Sequence, residues 1–172
     1  FDDAVAIQRV AKGYRLTVAI ADVAHYVASG SVIDKEALAR GTSVYFPGSC
    51  LPMLPEALSN GICSLNPHVD RLVMAAELDF DAGGRRTATR FCEAVIQSRA
   101  RLTYTKVAAV LVESDPAVRE ELQALVGDLE VMRELAELRI ALRHQRGSLD
   151  FDLPEAQIQL DLQGRPENIV RA

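Results

Sequence analysis

The sequence predicts an α+β fold in which a mainly antiparallel sheet is surrounded by helices. Runs rich in Val, Ile and Leu come in pairs around short turn signals, at Ala11-Lys12-Gly13 and at Asp81-Ala82-Gly83-Gly84, which is the pattern of hairpins. The second half switches to helical spacing, with apolar residues at alternating intervals of four and three from Val118 to Ala136. Strand-like runs return after Gly147.

Residues 4–10 and 14–23 form the first expected strand pair, and Leu16-Thr17-Val18-Ala19-Ile20-Ala21 is apolar enough to lie centrally in a sheet. Asp22 ends that run, where an acid is either a helix-cap or turn residue or a site residue, the cap or turn being the simpler reading. Residues 31–40 predict a short helix entered at Ser31 or Asp34 and stopped by a left-handed Gly41. Pro47, Pro52, Pro55 and Pro67 then punctuate an irregular apolar stretch over residues 42–67, of the kind that covers or lines something. Residues 71–80 and 87–98 pair around the second turn. A helix is expected over 104–112, then one long helix over 116–146 with Asp115 as N-cap and Pro116 in its first turn. Val118, Leu122, Leu125, Leu129, Met132 and Ala136 make a single stripe on that helix of about 30 residues, or about 45 Å, so one face is buried against something large. Gly147 closes it after His144 and Arg146, whose positive charge suits a helix C-terminus. Residues 148–153, 157–162 and 168–170 read as strands, with Gln163-Gly164-Arg165-Pro166 as a turn.

The 172 residues suit one domain or the central part of a larger one, and 49% apolar content can bury a substantial core. The chain starts at Phe1 without an initiating methionine, inside what reads as a motif, and is expected to be a slice of a longer protein. A formal net charge of -5, from 24 acidic and 19 basic residues, attracts no polyanion globally, so handling nucleic acid would require local basic patches or other domains. Cys50, Cys63 and Cys92 are odd in number and lack any Cys-x-x-Cys pair, which suits neither a disulfide framework nor a zinc site. They read as small buried groups in a reducing cytosol, and Met53 and Met74 read as core. No run approaches the roughly 20 apolar residues that cross a bilayer, and no membrane association is expected.

Asp2 and Asp3 stand side by side at the mouth of an apolar strand. Two such carboxylates repel by roughly 1 to 4 kcal/mol at about 4 Å unless a cation lies between them, and a hard divalent metal is the usual partner. Two solvated acids in a turn are the plainer alternative.

Several blocks in order extend the pattern: Phe1-Asp2-Asp3-Ala4, Val18-Ala19-Ile20-Ala21-Asp22-Val23-Ala24-His25-Tyr26-Val27, Arg40-Gly41-Thr42-Ser43-Val44-Tyr45-Phe46-Pro47, Leu58-Ser59-Asn60-Gly61-Ile62-Cys63-Ser64-Leu65-Asn66-Pro67 and Ala100-Arg101-Leu102-Thr103-Tyr104-Thr105-Lys106-Val107. Together with Pro52-Met53-Leu54-Pro55-Glu56 and Val69-Asp70-Arg71-Leu72, they resemble the catalytic RNB domain of the ribonuclease II and ribonuclease R family. Arg146-Gly147-Ser148-Leu149-Asp150-Phe151-Asp152 is more similar to the bacterial ribonuclease R branch. The resemblance is weakest over residues 111–143.

That resemblance implies magnesium-dependent, processive hydrolysis of single-stranded RNA from its 3' end to nucleoside 5'-monophosphates. In the family pattern four aspartates act together, and Asp2 and Asp3 match the adjacent pair, with Asp3 as a direct metal ligand and Asp2 as a ligand or orienting partner. Tyr45 matches a tyrosine that stacks near the 3'-terminal bases; read without the family it would be a core strand residue. The same resemblance makes residues 1–172 a partial catalytic domain, truncated at both ends within the domain and lacking two upstream aspartates, a downstream glutamate and arginine, and flanking OB-type RNA-binding domains. Little or no nuclease activity is therefore expected of the segment alone. A cytoplasmic monomer is expected, with ribosome or RNA-decay partners not readable from the sequence. Arg40, Arg71 and Arg101 are weaker candidates for phosphate contact; His25, Tyr26, Asn60 and Ser64 are as well explained by core or loop-holding roles. Three other readings stay open: a non-catalytic RNB-like module that binds RNA or protein, an interaction module that docks through the stripe of the long helix, and a magnesium-dependent phosphatase built on Asp2 and Asp3 alone.

Overall fold

The first half of the computed structural model, which describes residues 2–149, 151, 156–161 and 163–171, runs β1 (Asp3–Val10), β2 (Gly13–Ala21), α1 (Val23–Tyr26), α2 (Val32–Arg40), β3 (Val44–Phe46) and β4 (Ser49–Leu51). A distorted π-helical segment, Ala57–Ile62, precedes β5 (Asp70–Asp81) and β6 (Arg86–Gln97). The second half runs α3 (Tyr104–Leu111), α4 (Pro116–Glu121), α5 (Gln123–Gln145), β7 (Ala156–Leu160) and β8 (Pro166–Arg171). The chain divides into two compact units, residues 1–23 with 62–148 and residues 24–61 with 149–172. The mixture of helices with antiparallel sheet is the α+β class expected.

In the first unit the four-stranded sheet has the order β1-β2-β5-β6, every pair antiparallel. The tight β1–β2 turn needs Gly13: its φ is 147°, and a Cβ there would meet the Phe80 carbonyl oxygen at 2.1 Å. In the β5–β6 turn, Asp81 Oδ1 accepts from the backbone N–H groups of Gly83 and Arg85 at 2.9 and 2.8 Å, the local bonding that makes Asp a turn residue. Register fixes the faces, because side chains alternate along a strand. Ile7 lies opposite Leu16, and Leu16 opposite Leu78, so these three share a face. On that face Ile7, Tyr14 and Phe80 are buried with Leu135 of α5, and Val131, Met132 and Leu138 pack around them.

The predicted long helix is two helices. Leu122 leaves helical geometry at φ -100° and ψ 19°, separating α4 from α5. Asp115 caps α4 as expected, accepting from Ala117 and Val118 N–H at 2.9 and 3.2 Å. The stripe meets two partners, and the change from one to the other falls within α5, after Leu129. Val118, Leu122, Leu125 and Leu129 gather with Val110 of α3, whereas Val131, Leu135 and Leu138 meet the sheet. Ala136, the last member of the predicted stripe, is exposed, and Leu135 is buried in its place.

The second unit contains α2 and two two-stranded ribbons, β3–β4 and β7–β8. Ser31 caps α2 by accepting from Asp34 N–H at 3.2 Å, and Gly41 stops it at φ 74°. The stretch read as irregular contains the β3–β4 hairpin, whose strands of three residues are too short to show period-two patterning. It also lines a cleft of about 390 Å³ with Ile33, Met53 and Leu54 among its walls. Asp161 Oδ1 accepts from Gln163 and Arg165 N–H at 2.9 and 2.8 Å, forming the turn expected between β7 and β8. Ser148, Leu149 and Phe151 are not in a strand, and the rest of the predicted 148–153 strand lies outside the described residues. Cys50 and Met74 are exposed rather than buried, because burial depends on what packs over a strand and not on the residue type.

Candidate active site

Asp3 opens β1 opposite Ile20, which lies opposite Met74 of β5. Asp2 extends the ladder by one step, its carbonyl accepting from Ala21 N–H at 2.9 Å, and Asp22 N–H donates to the Leu72 carbonyl at 3.0 Å. One sheet edge therefore carries Asp2, Asp3, Asp22 and the start of β5, on strands about 4.8 Å apart. Asp2 and Asp3 are both exposed; Asp22 is half-buried and engaged in interactions of its own. Asp22 sits in the turn between β2 and α1, the position its sequence context suggests.

The pleat sends neighbouring side chains to opposite faces, so Asp3 shares the face of Val5 and Ile7, and Asp2 that of Ala4 and Ala21. A group meets both carboxylates only from beyond the strand tip. On the Asp2 side, Cys63, Ser64 and Leu65 are buried. Burial pushes the Cys63 thiol up from its ordinary value; the charges of Asp2 and Asp22 push the same way, and Arg71 opposes them. Arg71 is fixed by two backbone acceptors, donating through Nε to the Ser64 carbonyl at 2.9 Å and through Nη1 to the Asp70 carbonyl at 2.9 Å.

Carboxylate oxygens are the hard donors that magnesium takes. Among the described residues, no group of three or more His, Cys, Asp or Glu is placed to hold a metal ion. Asp2 and Asp3 thus have suitable donor chemistry but supply only part of a donor set.

Tyr45 belongs to the other unit. It lies on β3 opposite Cys50 and is 79% exposed, with Phe46 beside it also exposed. The exposed Tyr45 ring is not the core residue its strand pattern suggests. Arg40 is spent within that unit, on Glu36 at 2.9 Å and on the Pro52 carbonyl at 3.0 Å. His25 and Tyr26 pack edge to face, with ring centroids 5.0 Å apart. Arg101 is exposed and already has a partner. Asn60 is exposed in the π-helical segment, and Ser64 Oγ donates to Asn66 Oδ1 at 3.5 Å, a loop-holding contact. Sequence reasoning missed the Arg71–Ser64 link, which joins a strand to an irregular loop and leaves no periodic signal.

Residues 1–172, the whole chain, match the model of the RNB domain. The chain belongs to the RNB domain family. The ribonuclease R of Acidithiobacillus ferrooxidans is 52% identical over 151 residues, covering 88% of this chain and 34% of that protein. The ribonuclease R of Escherichia coli strain K12 is 48% identical over 170 residues, covering 98% of this chain and 21% of that protein. Among solved structures, Mycoplasma genitalium RNase R in complex with ribose methylated single-stranded RNA superposes with a TM-score of 0.90 at 36% identity, covering 100% of this chain and 27% of that one. This RNB chain therefore spans between about a fifth and a third of the length of these relatives.

Proposed function

We propose that this RNB chain is part of the catalytic domain of a longer, ribonuclease R-like 3'-to-5' exoribonuclease that degrades single-stranded RNA processively to nucleoside 5'-monophosphates. The observation that carries the reading is the family match along every residue, combined with an open strand tip bearing Asp2 and Asp3. Asp3 is assigned as a metal-binding carboxylate, and Asp2 as the acid that ligates or orients beside it. Magnesium held there would activate water and screen the charge that develops on phosphate oxygens. The chain's own contribution is positional: the ladder bonds from Ala21 and to Leu72 hold the acid-bearing ends in register, and the exposed Tyr45 ring offers a stacking surface to bases of any identity, at about 1 to 3 kcal/mol per stacked base. Two acids do not complete a metal site, so the other donors are assigned to the rest of the longer protein, and the 172-residue segment alone is expected to be inactive. The longer protein is proposed to act as a cytoplasmic monomer.

The test uses the intact longer protein, 5'-labelled single-stranded RNA and magnesium, with products resolved on a denaturing gel. Wild type should drive the RNA to a short limit product with few intermediates, while Asp3→Asn binds the RNA and leaves it uncut. A wild type that binds without cutting, or an Asp3→Asn protein that cuts equally well, would replace this reading with that of a non-catalytic RNA-binding module.

A further inference from the structure

Arg71 lies two residues before Val73 on β5, and Val73 lies opposite Ala21, the residue whose N–H holds the Asp2 carbonyl. Alternation puts Arg71, Val73, Ala21 and Asp2 on one face of the sheet. That face is dry behind the acid: Val73 is 1% exposed and Ala21 6%, and Cys63, Ser64 and Leu65 are buried at 4–5%. The guanidinium ends on two carbonyls, one from its own strand at Asp70 and one from Ser64 in the buried loop. A planar fork on two fixed acceptors joins two segments in one geometry, which a flexible ammonium does not reproduce. The side chain is only half-buried, yet both of these bonds are made to backbone, so it acts as a tie between segments.

We propose that Arg71 is a positioning residue for Asp2: its guanidinium clamps residues 63–65 against the sheet face that carries the acid, and so fixes where that carboxylate stands during phosphodiester hydrolysis. The opposing influences of Asp2, Asp22 and Arg71 on the Cys63 thiol agree with their convergence on this loop. The inference rests on the exoribonuclease reading above. Arg71→Ala frees residues 63–65, and small displacements of a reacting group cost up to about 100-fold in rate.

The experiment compares wild type, Arg71→Ala and Arg71→Lys in the intact longer protein. It measures kcat, RNA affinity across a salt series, rescue by added guanidinium, and alkylation of Cys63 by N-ethylmaleimide, read by mass spectrometry of the Cys63 peptide in the folded protein. The clamp predicts kcat lowered between about 10- and 100-fold in Arg71→Ala, little recovery in Arg71→Lys, partial recovery with guanidinium, and faster Cys63 labelling in both variants. It also predicts unchanged RNA affinity and salt slope. Weaker RNA binding with a log–log salt slope shallower by about 0.7 would make Arg71 a phosphate contact and overturn the clamp. Unchanged kcat with unchanged Cys63 labelling would overturn it as well, as would a kcat loss that guanidinium leaves untouched while Cys63 stays protected. If Arg71→Ala does not fold, Cys63 labelling and kcat in Arg71→Lys decide the matter alone. An inactive wild type would sink the exoribonuclease reading itself; an active wild type with an indifferent Arg71 sinks only the clamp.

Discussion

The two ends of the four-stranded sheet are built differently. At the hairpin end, α5 seals one face: Ile7, Tyr14, Phe80 and Leu135 are buried together, and Glu134 of α5 accepts from both Arg9 and the Tyr14 hydroxyl. At the opposite end the same face is open. Val5, Ile20, Met74, Phe91 and Val95 are 43–70% exposed there, beside Asp3. Ile7 and Asp3 are four residues apart on β1, or about 13 Å at about 3.3 Å per residue. Stability is thus concentrated where the sheet is covered, and the candidate chemistry lies where it is not. Sites separated by more than about 10 Å with no shared partners act nearly additively, so each end can be altered without disturbing the other.

That contrast can be broken most forcefully at the acid tip. Asp3→Asn in the longer protein should lower RNA hydrolysis at least about 100-fold, since even outer groups around a metal cost up to that much, while leaving the thermal midpoint unchanged. A drop in midpoint of several degrees would show that the two ends are coupled. At the sealed end, Leu135→Ala should cost about 2 to 5 kcal/mol in urea unfolding through loss of packing and creation of a cavity. RNA hydrolysis by the protein that remains folded should persist. Asp115→Ala, which removes the cap of α4, should cost about 1 kcal/mol by the same measurement.

The ion cluster on α5 sharpens the comparison through pH. Hydrogen bonds from Arg9 and then Tyr14 hold the Glu134 carboxyl below its ordinary value of 4.5. A depressed folded-state value means that the contribution is fully present above the ordinary value and is lost as pH falls through the folded one. Glu134→Gln should therefore flatten the pH dependence of the midpoint below pH 4.5 and leave neutral-pH hydrolysis unaffected. Smallest of all, Phe91→Ser on the open face should change stability by no more than about 0.5 kcal/mol. A cost near that of Leu135→Ala would mean that this face is covered in the longer protein.

Elements whose cause is local were legible in the sequence. Ser31, Asp115, Gly41 and the Asp81 turn act within a few residues of themselves, and each was readable from its neighbours. The adjacent acids at a strand mouth were equally plain, because strand ends follow from runs of Val, Ile and Leu. Errors arose where a residue's fate depends on another element. Met74 and Cys50 are of core-forming type but lie exposed. For Tyr45 the strand pattern alone suggests a core residue, whereas the family resemblance suggests an open ring, and the ring is exposed.

By itself, therefore, the sequence determined the three strand pairs β1–β2, β5–β6 and β7–β8, the caps of α2 and α4, the turns, the acid pair and membership of the RNB family, since periodicity, local hydrogen bonding and ordered motifs are properties of neighbours along the chain. Tertiary structure alone decided that the long helix breaks at Leu122, that Leu135 rather than Ala136 enters the core, and that Arg71 ties a loop behind Asp2. The physical reason is common to all three. Burial and long-range hydrogen bonds depend on which face another element covers, and a helix that meets α3 with one part and the sheet with another re-aims its stripe to fit both.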